Sequence, residues 1–341
     1  MKVVKKLIAP VLVVGLLMTS LLTLHQLKTS KHQKIRIGIS QYITHKSLDA
    51  TRKGFVEELA KQGYVNGETI EIDYQNAQGE QRNLKNISKQ LAQKSDLVFA
   101  IATPSAQSLA NTTHTTPVLF SAVTDPLAAK LVKKLDQPGG NVTGTSDQSS
   151  DAIATQVDMI KTVLPTAKIV GILYTQSEPN SVVQKDEAKK ILEAKGYLVV
   201  EKTILDSNNV KAAADSLMSE VDIVFVPTDN IISSTMETIK QVSLKHQVPV
   251  FGGSIEMIQV GGLYTYGTDY KALGRQSARM AIRILKGEKA AELAVESPKN
   301  LELYFNKEMA KKLGIDLSGL ELTAGRKPNN RRKKQGNIST A

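Results

Sequence analysis

The sequence predicts an α/β protein built as two similar, doubly wound parallel-sheet lobes with a ligand cleft between them. Three observations carry this. Short β-branched runs alternate with amphipathic helical stretches, and the runs are apolar almost end to end, as strands buried on both faces are. The alternation occurs twice in the same order. The 341 residues, 41% of them apolar and 23% charged, suffice for two cores and are too apolar for a disordered chain.

The first set of strands reads IRIGIS (35–40), TIEIDYQ (69–75), LVFAIAT (97–103) and PVLFSAV (117–123), with helices over 48–62, 81–93 and 105–112 between them. The second reads KIVGILY (168–174), YLVVEKTI (197–204), IVFVPT (223–228) and PVFGGS (249–254), with helices over 181–195, 210–219 and 233–246. The first strands lie 133 residues apart and the third strands 126, so this is a structural duplication rather than a close sequence repeat. A strand LYTYGT (263–268), a helix over 270–285 and a short strand LELYFN (301–306) follow. In two-lobed α/β chains such late elements cross back. Crossovers are expected near 145–149, 265–269 and 294–300, with the helix 270–285 returning to the first lobe. The expected division is 35–146 plus 269–295 for lobe 1 and 147–268 plus 296–324 for lobe 2.

The ends differ from this body. The net charge of +11 resides there: residues 1–34 and the segment from Gly325 each contribute six positive charges and no acid, leaving −1 for residues 35–324. That removes the support a basic chain would give to nucleic-acid binding. Between Leu7 and Leu24 runs LIAPVLVVGLLMTSLLTL, 18 residues without a charge behind Lys2, Lys5 and Lys6. This is the pattern of a secretory signal or signal anchor. No A-x-A-like site follows, which favours an uncleaved anchor at the outer face of the membrane; a cleaved signal would give a secreted protein. Residues 1–34 are thus expected to be anchor and linker. The tail, 325–341, is expected to be disordered.

In open α/β sheets ligands bind outside the carboxyl ends of the strands. Those ends carry Gln41-Tyr42, Thr103-Pro104-Ser105-Ala106, Thr124-Asp125, the turn from Ser177 through Asn180 to Ser181, Asp229-Asn230, and Glu256. Any one of these residues also serves as a helix cap. Facing rims from two lobes would bring them into one cleft. The Thr103–Ser105 turn suits a carboxylate, with hydroxyls, free N–H groups and the positive end of a helix. An ammonium would need a carboxylate. Asp229 is the first choice for it, with Asp125 and Glu256 behind. Tyr42 and Tyr174, at the ends of corresponding first strands, are placed to sandwich a flat ligand group.

Catalytic and cofactor signatures are missing. The five His form no metal-binding pair, there is no Cys, and no nucleophile elbow, Walker A loop or dinucleotide fingerprint occurs. A binding protein without cofactor or metal is expected, not an enzyme.

The stretches IGISQYITHKSLDATRKGFVEELAKQGYVNG, ATPSAQSLAN, PVLFSAVTDPLAAKLV, QPGGNVTGTSD and VPVFGGSIEMIQVGGLYTYGTDYKALGRQSARMAIRILKGE together resemble the extracytoplasmic substrate-binding components of ABC importers, of the type I periplasmic-binding fold. Within them, the branch for aromatic amino acids is the most similar. The resemblance implies two hinged lobes, an aromatic amino acid, tryptophan foremost, trapped between them, and a permease with its ATPase as partners. Neither nucleic acid nor a second copy of the chain is implied. It places ligand contacts in the loops at Gln41-Tyr42, Thr103–Ala106, Thr124-Asp125, Ser177–Ser181 and Asp229-Asn230. A sensory protein of the same fold signalling to a membrane receptor is the alternative. A DNA-binding regulator would need a helix-turn-helix where the Leu7-to-Leu24 stretch lies. Many such proteins hold the membrane through a lipid-bearing Cys. This chain has none, which leaves that role to the peptide segment.

Overall fold

The structure, a computed structural model, describes residues 34–149, 151–299, 301–318 and 320. The apolar stretch 7–24 and the tail 325–341 lie outside the described residues. Among those described, no helix is long and apolar enough to cross a membrane.

Strands β1 (Ile35–Gln41), β2 (Ile70–Asn76), β3 (Leu97–Ile101), β4 (Val118–Val123) and β5 (Val142–Ser146) form one sheet in the order β2-β1-β3-β4-β5. Strands β6 (Ile169–Thr175), β7 (Leu198–Ile204), β8 (Ile223–Val226), β9 (Val250–Gly252), β10 (Tyr264–Thr268) and β11 (Leu301–Phe305) form the second, in the order β11-β10-β9-β8-β6-β7. Pairings between β1, β3, β4 and β5 and between β7, β6, β8, β9 and β10 are parallel; β11 is antiparallel to β10. Both sheets therefore share one topology, and the expected fold of two parallel-sheet lobes is what forms.

The fifth strand of the first lobe is a strand the sequence reading missed. VTGTS follows Pro138-Gly139-Gly140 and has one large apolar residue, so it reads as a loop. It is buried throughout because its hydroxyls find partners across the chain: Thr143 Oγ1 donates to the Leu293 carbonyl (2.7 Å) and Thr145 Oγ1 to Ser121 Oγ (2.9 Å). β5 is thus the counterpart of β10, which had looked like an addition.

The helices are α1 (Lys46–Lys61), α2 (Gln81–Lys94), α3 (Thr103–Ala110), α4 (Ala152–Asp158), α5 (Ile160–Val163), α6 (Pro179–Ala194), α7 (Val210–Met218), α8 (Asn230–Ser234), α9 (Met236–His246), α10 (Ile255–Val260), α11 (Tyr270–Leu285) and α12 (Lys307–Lys312). The single helix expected over 233–246 is two, α8 and α9, broken at Thr235, whose φ of −114° and ψ of 14° leave the helical basin. Helix α11 lies along α1 and reaches β4 and β5. The two helices touch backbone to backbone. A Cβ on Gly54 would stand 2.1 Å from the Lys271 carbonyl oxygen, and one on Gly274 2.0 Å from that of Thr51. The second sheet has apolar clusters on both faces: Leu173, Val224, Val226 and Val250 point to one, Val170, Ile172, Phe225 and Phe251 to the other. That alternation along each strand is why its strands read as continuous apolar runs.

Candidate ligand-binding site

The carboxyl ends of the two sheets face each other and touch. Thr124 Oγ1 meets Thr228 Oγ1 at 3.1 Å, His45 Nε2 meets Asn230 Oδ1 at 3.2 Å, and Ser47 Oγ meets Ser254 Oγ at 2.7 Å while donating to Glu256 Oε2 at 3.1 Å. Ile43, from the first lobe, packs on an apolar cluster of the second. Two cavities of about 20 and 10 Å³, sharing Asp147, Thr228 and Tyr270, remain between the lobes. Each has room for a water or so, so a larger ligand enters only when the lobes part.

The chemistry of the cleft is legible in polar atoms that are buried without a partner. His45 Nδ1, Asp147 Oδ1 and Asn180 Oδ1 are three such atoms, and their residues line one cavity. Gln156 Oε1 is a fourth, and Gln156 lines the adjoining cavity with Ile153, Tyr266, Tyr270 and Leu301. The hydroxyls of Ser40, Thr103 and Ser105, in the first lobe, are buried without a partner as well, as is Arg36 Nε near the start of β1. Ser40 lies in register with Ala100 near the end of β1, and Thr103 and Ser105 open α3 just past the end of β3. Groups of this kind carry a desolvation cost that a complementary ligand removes. Strained backbone accompanies them. Ala102, before Thr103, has φ 80°, and Ala122, on the cavity wall before Thr124, has φ 56°. Such strain concentrates at binding sites.

Several expected site residues are engaged within the protein in this structure. Asp229 is buried with all its acceptor positions filled: Oδ1 accepts from Thr175 Oγ1 (2.8 Å) and the Ile232 N–H (2.9 Å), Oδ2 from the Thr175 N–H (2.6 Å) and Ser181 Oγ (2.7 Å). It caps α8 and ties it to β6 and α6, so neither Asp229 nor Ser181 offers an atom to an ammonium. Asp125 caps its own turn, accepting from the N–H groups of Leu127 and Ala128. Gln41 is an internal brace, bonded to the Ile43 carbonyl, Asp49, Arg52 and Tyr74. Tyr42 donates its hydroxyl to the Gly79 carbonyl (2.9 Å), and burial pushes that phenol's pKa up. Tyr174 packs on the core cluster behind β6, under the Lys185 ammonium, so the two tyrosines make no sandwich. Ser177 is exposed and donates to the Leu205 carbonyl. Ala106 closes the first turn of α3 onto the Ala102 carbonyl. Thr124 and Asn230 make cross-lobe contacts, Glu256 accepts from Ser47 of the other lobe, and Asn180 lines a cavity, while Thr103 and Ser105 are buried at the start of α3. Burial raises the Glu256 carboxyl's pKa.

His45, Asp147 and Gln156 lie outside the turns that the sequence singles out, and Glu178 lies inside one of them, Ser177–Ser181. Asp147 lies in an expected crossover. It is 8% exposed, its Oδ2 accepts from the Tyr270 hydroxyl (2.7 Å), and burial raises its pKa. Glu178 is wholly buried. It accepts from Asn230 Nδ2 (2.5 Å), Asn180 Nδ2 (3.1 Å) and the N–H groups of Asn230 (3.1 Å) and Ile231 (3.0 Å). Burial and the neighbouring Asp229 charge push its pKa up to about 8. Burial of His45 between the lobes lowers its pKa to about 4. His45, Asp147 and Gln156 have no local signature, since they line the cavities between the lobes, and Glu178 is buried among Asn180, Asn230 and Ile231 of its own lobe.

Two duplicated lobes closing on unpaired donors and acceptors define a ligand-capturing protein. The chain matches the family described as ABC transporter substrate binding protein over residues 36–324, and it belongs to that family. Such proteins act outside the cytoplasm, holding substrate for a transporter without transforming it. The chain is 39% identical over 289 residues, 84% of its own length and 83% of the relative's, to a tyrosine-binding protein of Clostridioides difficile. It is 37% identical to the ABC domain from Streptococcus pneumonia solved in complex with L-Trp, with a TM-score of 0.82 over 86% of this chain and 99% of that one. It is 38% identical to a ligand-free, open substrate-binding protein with adhesive properties from Clostridium difficile, with a TM-score of 0.64 over 87% of this chain and 97% of that one. At near-equal identity the overlap is much better with the complex than with the open form, in keeping with the cross-lobe contacts.

Proposed function

We propose that the chain is the amino-acid-binding component of an ABC importer, that its ligand is an aromatic amino acid with tryptophan favoured, and that the apolar stretch between Leu7 and Leu24 holds it at the outer face of the membrane. The observation that carries the reading is the division of unpaired atoms. A ligand ammonium has three N–H donors, and His45 Nδ1, Asp147 Oδ1 and Asn180 Oδ1 are three acceptors around one cavity. A ligand carboxylate needs donors, which Ser40, Thr103, Ser105 and the first turn of α3 supply. This moves the ammonium from Asp229 to Asp147. Walls of Ile153, Tyr266, Tyr270 and Leu301 beside the Gln156 Oε1 acceptor suit a flat ring that carries an N–H or O–H. The tyrosine and tryptophan relatives support the same class of ligand.

Titration calorimetry of the full chain against the twenty amino acids tests this. Tryptophan and tyrosine are expected to bind, phenylalanine more weakly because it leaves Gln156 unanswered. No heat with any aromatic amino acid overturns the ligand assignment, and binding confined to sugars or inorganic anions overturns the amino-acid reading altogether.

A further inference from the structure

The cleft contains a chain of side chains whose hydrogen-bond polarity is fixed from one end. Oε2 of Glu178 is held by three donors, Asn230 Nδ2, the Asn230 N–H and Asn180 Nδ2, and Oε1 by one, so a proton gained by the carboxyl goes to Oε1, while Oε2 still takes the amide nitrogen of Asn230 and turns that residue's Oδ1 toward the first lobe. An amide oxygen only accepts. His45, 3.2 Å away across the interface, must therefore carry its proton on Nε2. A neutral imidazole has one proton, so Nδ1 is left as a bare acceptor, and Nδ1 is the buried atom without a partner. We propose that Glu178 and Asn230 are positioning residues that fix His45 as its Nε2–H form, so that His45 Nδ1 completes the ammonium site only when the lobes are shut and only while the imidazole is neutral. The proposal rests on the amino-acid reading above and adds to it a coupling of capture to closure and a limit on the acid side.

The acid limit has a sign that follows from the surroundings. Burial holds His45 near pKa 4 in the shut cleft, whereas in parted lobes it returns toward its ordinary 6.5. Protonation thus favours the open protein, and affinity falls as pH drops below about 6.5. The groups facing the imidazole are Asp49 on its own helix α1, Asp147 and Tyr270 across the cavity, Glu178 behind Asn230, and Glu256 through Ser47. Asp147 is the one that would draw an imidazolium inward, into the place of the ligand ammonium, which is a second route to the same loss.

The test is calorimetry of the full chain with L-tryptophan and L-tyrosine between pH 8 and 5.5, over which the unaltered protein is expected to lose about tenfold in affinity. His45→Asn sets an amide oxygen near the former Nδ1 position and cannot titrate. It is expected to weaken binding at pH 8 and, in the affinity that remains, to lose most of the acid decline. Asn230→Asp faces His45 with a carboxylate in the shut cleft, which narrows the gap between the shut and open imidazole pKa and should shrink the acid decline. Nitrogen-15 spectra of the histidine-labelled chain with L-tryptophan at pH 8 should show His45 protonated at Nε2 and bare at Nδ1. Affinity flat to pH 5.5, the same decline in His45→Asn, or an Nδ1–H imidazole overturns the relay while leaving the amino-acid reading standing. Failure of both amino acids to bind at pH 8 overturns the two together.

Discussion

Asp147→Asn should uncouple ligand binding from folding. In the shut cleft Oδ2 of Asp147 accepts from the Tyr270 hydroxyl at 2.7 Å, and Oδ1 has no partner. The amide keeps an oxygen for Tyr270 but turns an N–H₂ toward the position assigned to the ligand ammonium. Hydrogen bonds to charged groups contribute about 1.5–3 kcal/mol, so a loss near 2 kcal/mol is expected, or about thirtyfold in Kd. Stability should move the other way. The folded pKa of Asp147 lies above its unfolded value because of burial, so its favourable contribution is present only at acid pH and is lost as pH rises through the folded pKa. At pH 7 the ionised carboxylate is a cost that the amide removes. The assay is calorimetry with L-tryptophan beside thermal unfolding of the ligand-free protein at pH 7. Thirtyfold weaker binding at an unchanged or higher melting temperature is expected. A folded variant with unaltered affinity refutes the placement of the ammonium on Asp147.

Asp229→Ala should act on folding instead. It strips four donors of a buried acceptor and is expected to cost about 3 kcal/mol, seen as a lower melting temperature, with affinity in the folded protein kept within threefold. Ser105→Ala removes one unpaired hydroxyl from the carboxylate end and should weaken L-tryptophan by about fivefold, or ~1 kcal/mol, with little change in melting. Tyr174→Ala should leave affinity unchanged in the same titration, because the ring packs behind β6; a tenfold loss would restore it to the cleft. Gly274→Val drives a side chain into the Thr51 carbonyl and should destabilise the protein by about 3 kcal/mol, read by denaturant unfolding.

What the sequence disclosed follows from how far each signal reaches. Strand runs such as LVFAI and IVFV are buried on both faces, so their apolar continuity alone identified parallel sheets. The carboxyl-end turns stand out because topology puts ligands there, and two of their residues, Asn180 and Asn230, line a cavity between the lobes. Asp229 stood in an equally polar turn, yet its oxygens cap α8 and brace Thr175 and Ser181 within its own lobe. A cap and a ligand contact have the same local sequence, and only the count of filled acceptor positions separates them. Asp147 and His45 illustrate the converse. Both sit in unremarkable loops, and their significance arises from Tyr270, 123 residues on from one, and Asn230, 185 residues on from the other. VTGTS was lost for a similar reason, since its hydroxyls are satisfied by Leu293 and Ser121.

The central claim is that the cleft recognises both charges of an α-amino acid. It is tested most directly by comparing L-tryptophan with tryptamine, which lacks the carboxylate, and indole-3-propionate, which lacks the ammonium, in titrations of the full chain at pH 8. Each analogue leaves one group of buried polar atoms unanswered, and each should bind at least a hundredfold more weakly than L-tryptophan, about 2.7 kcal/mol. Binding of either analogue as tightly as the amino acid would contradict the account.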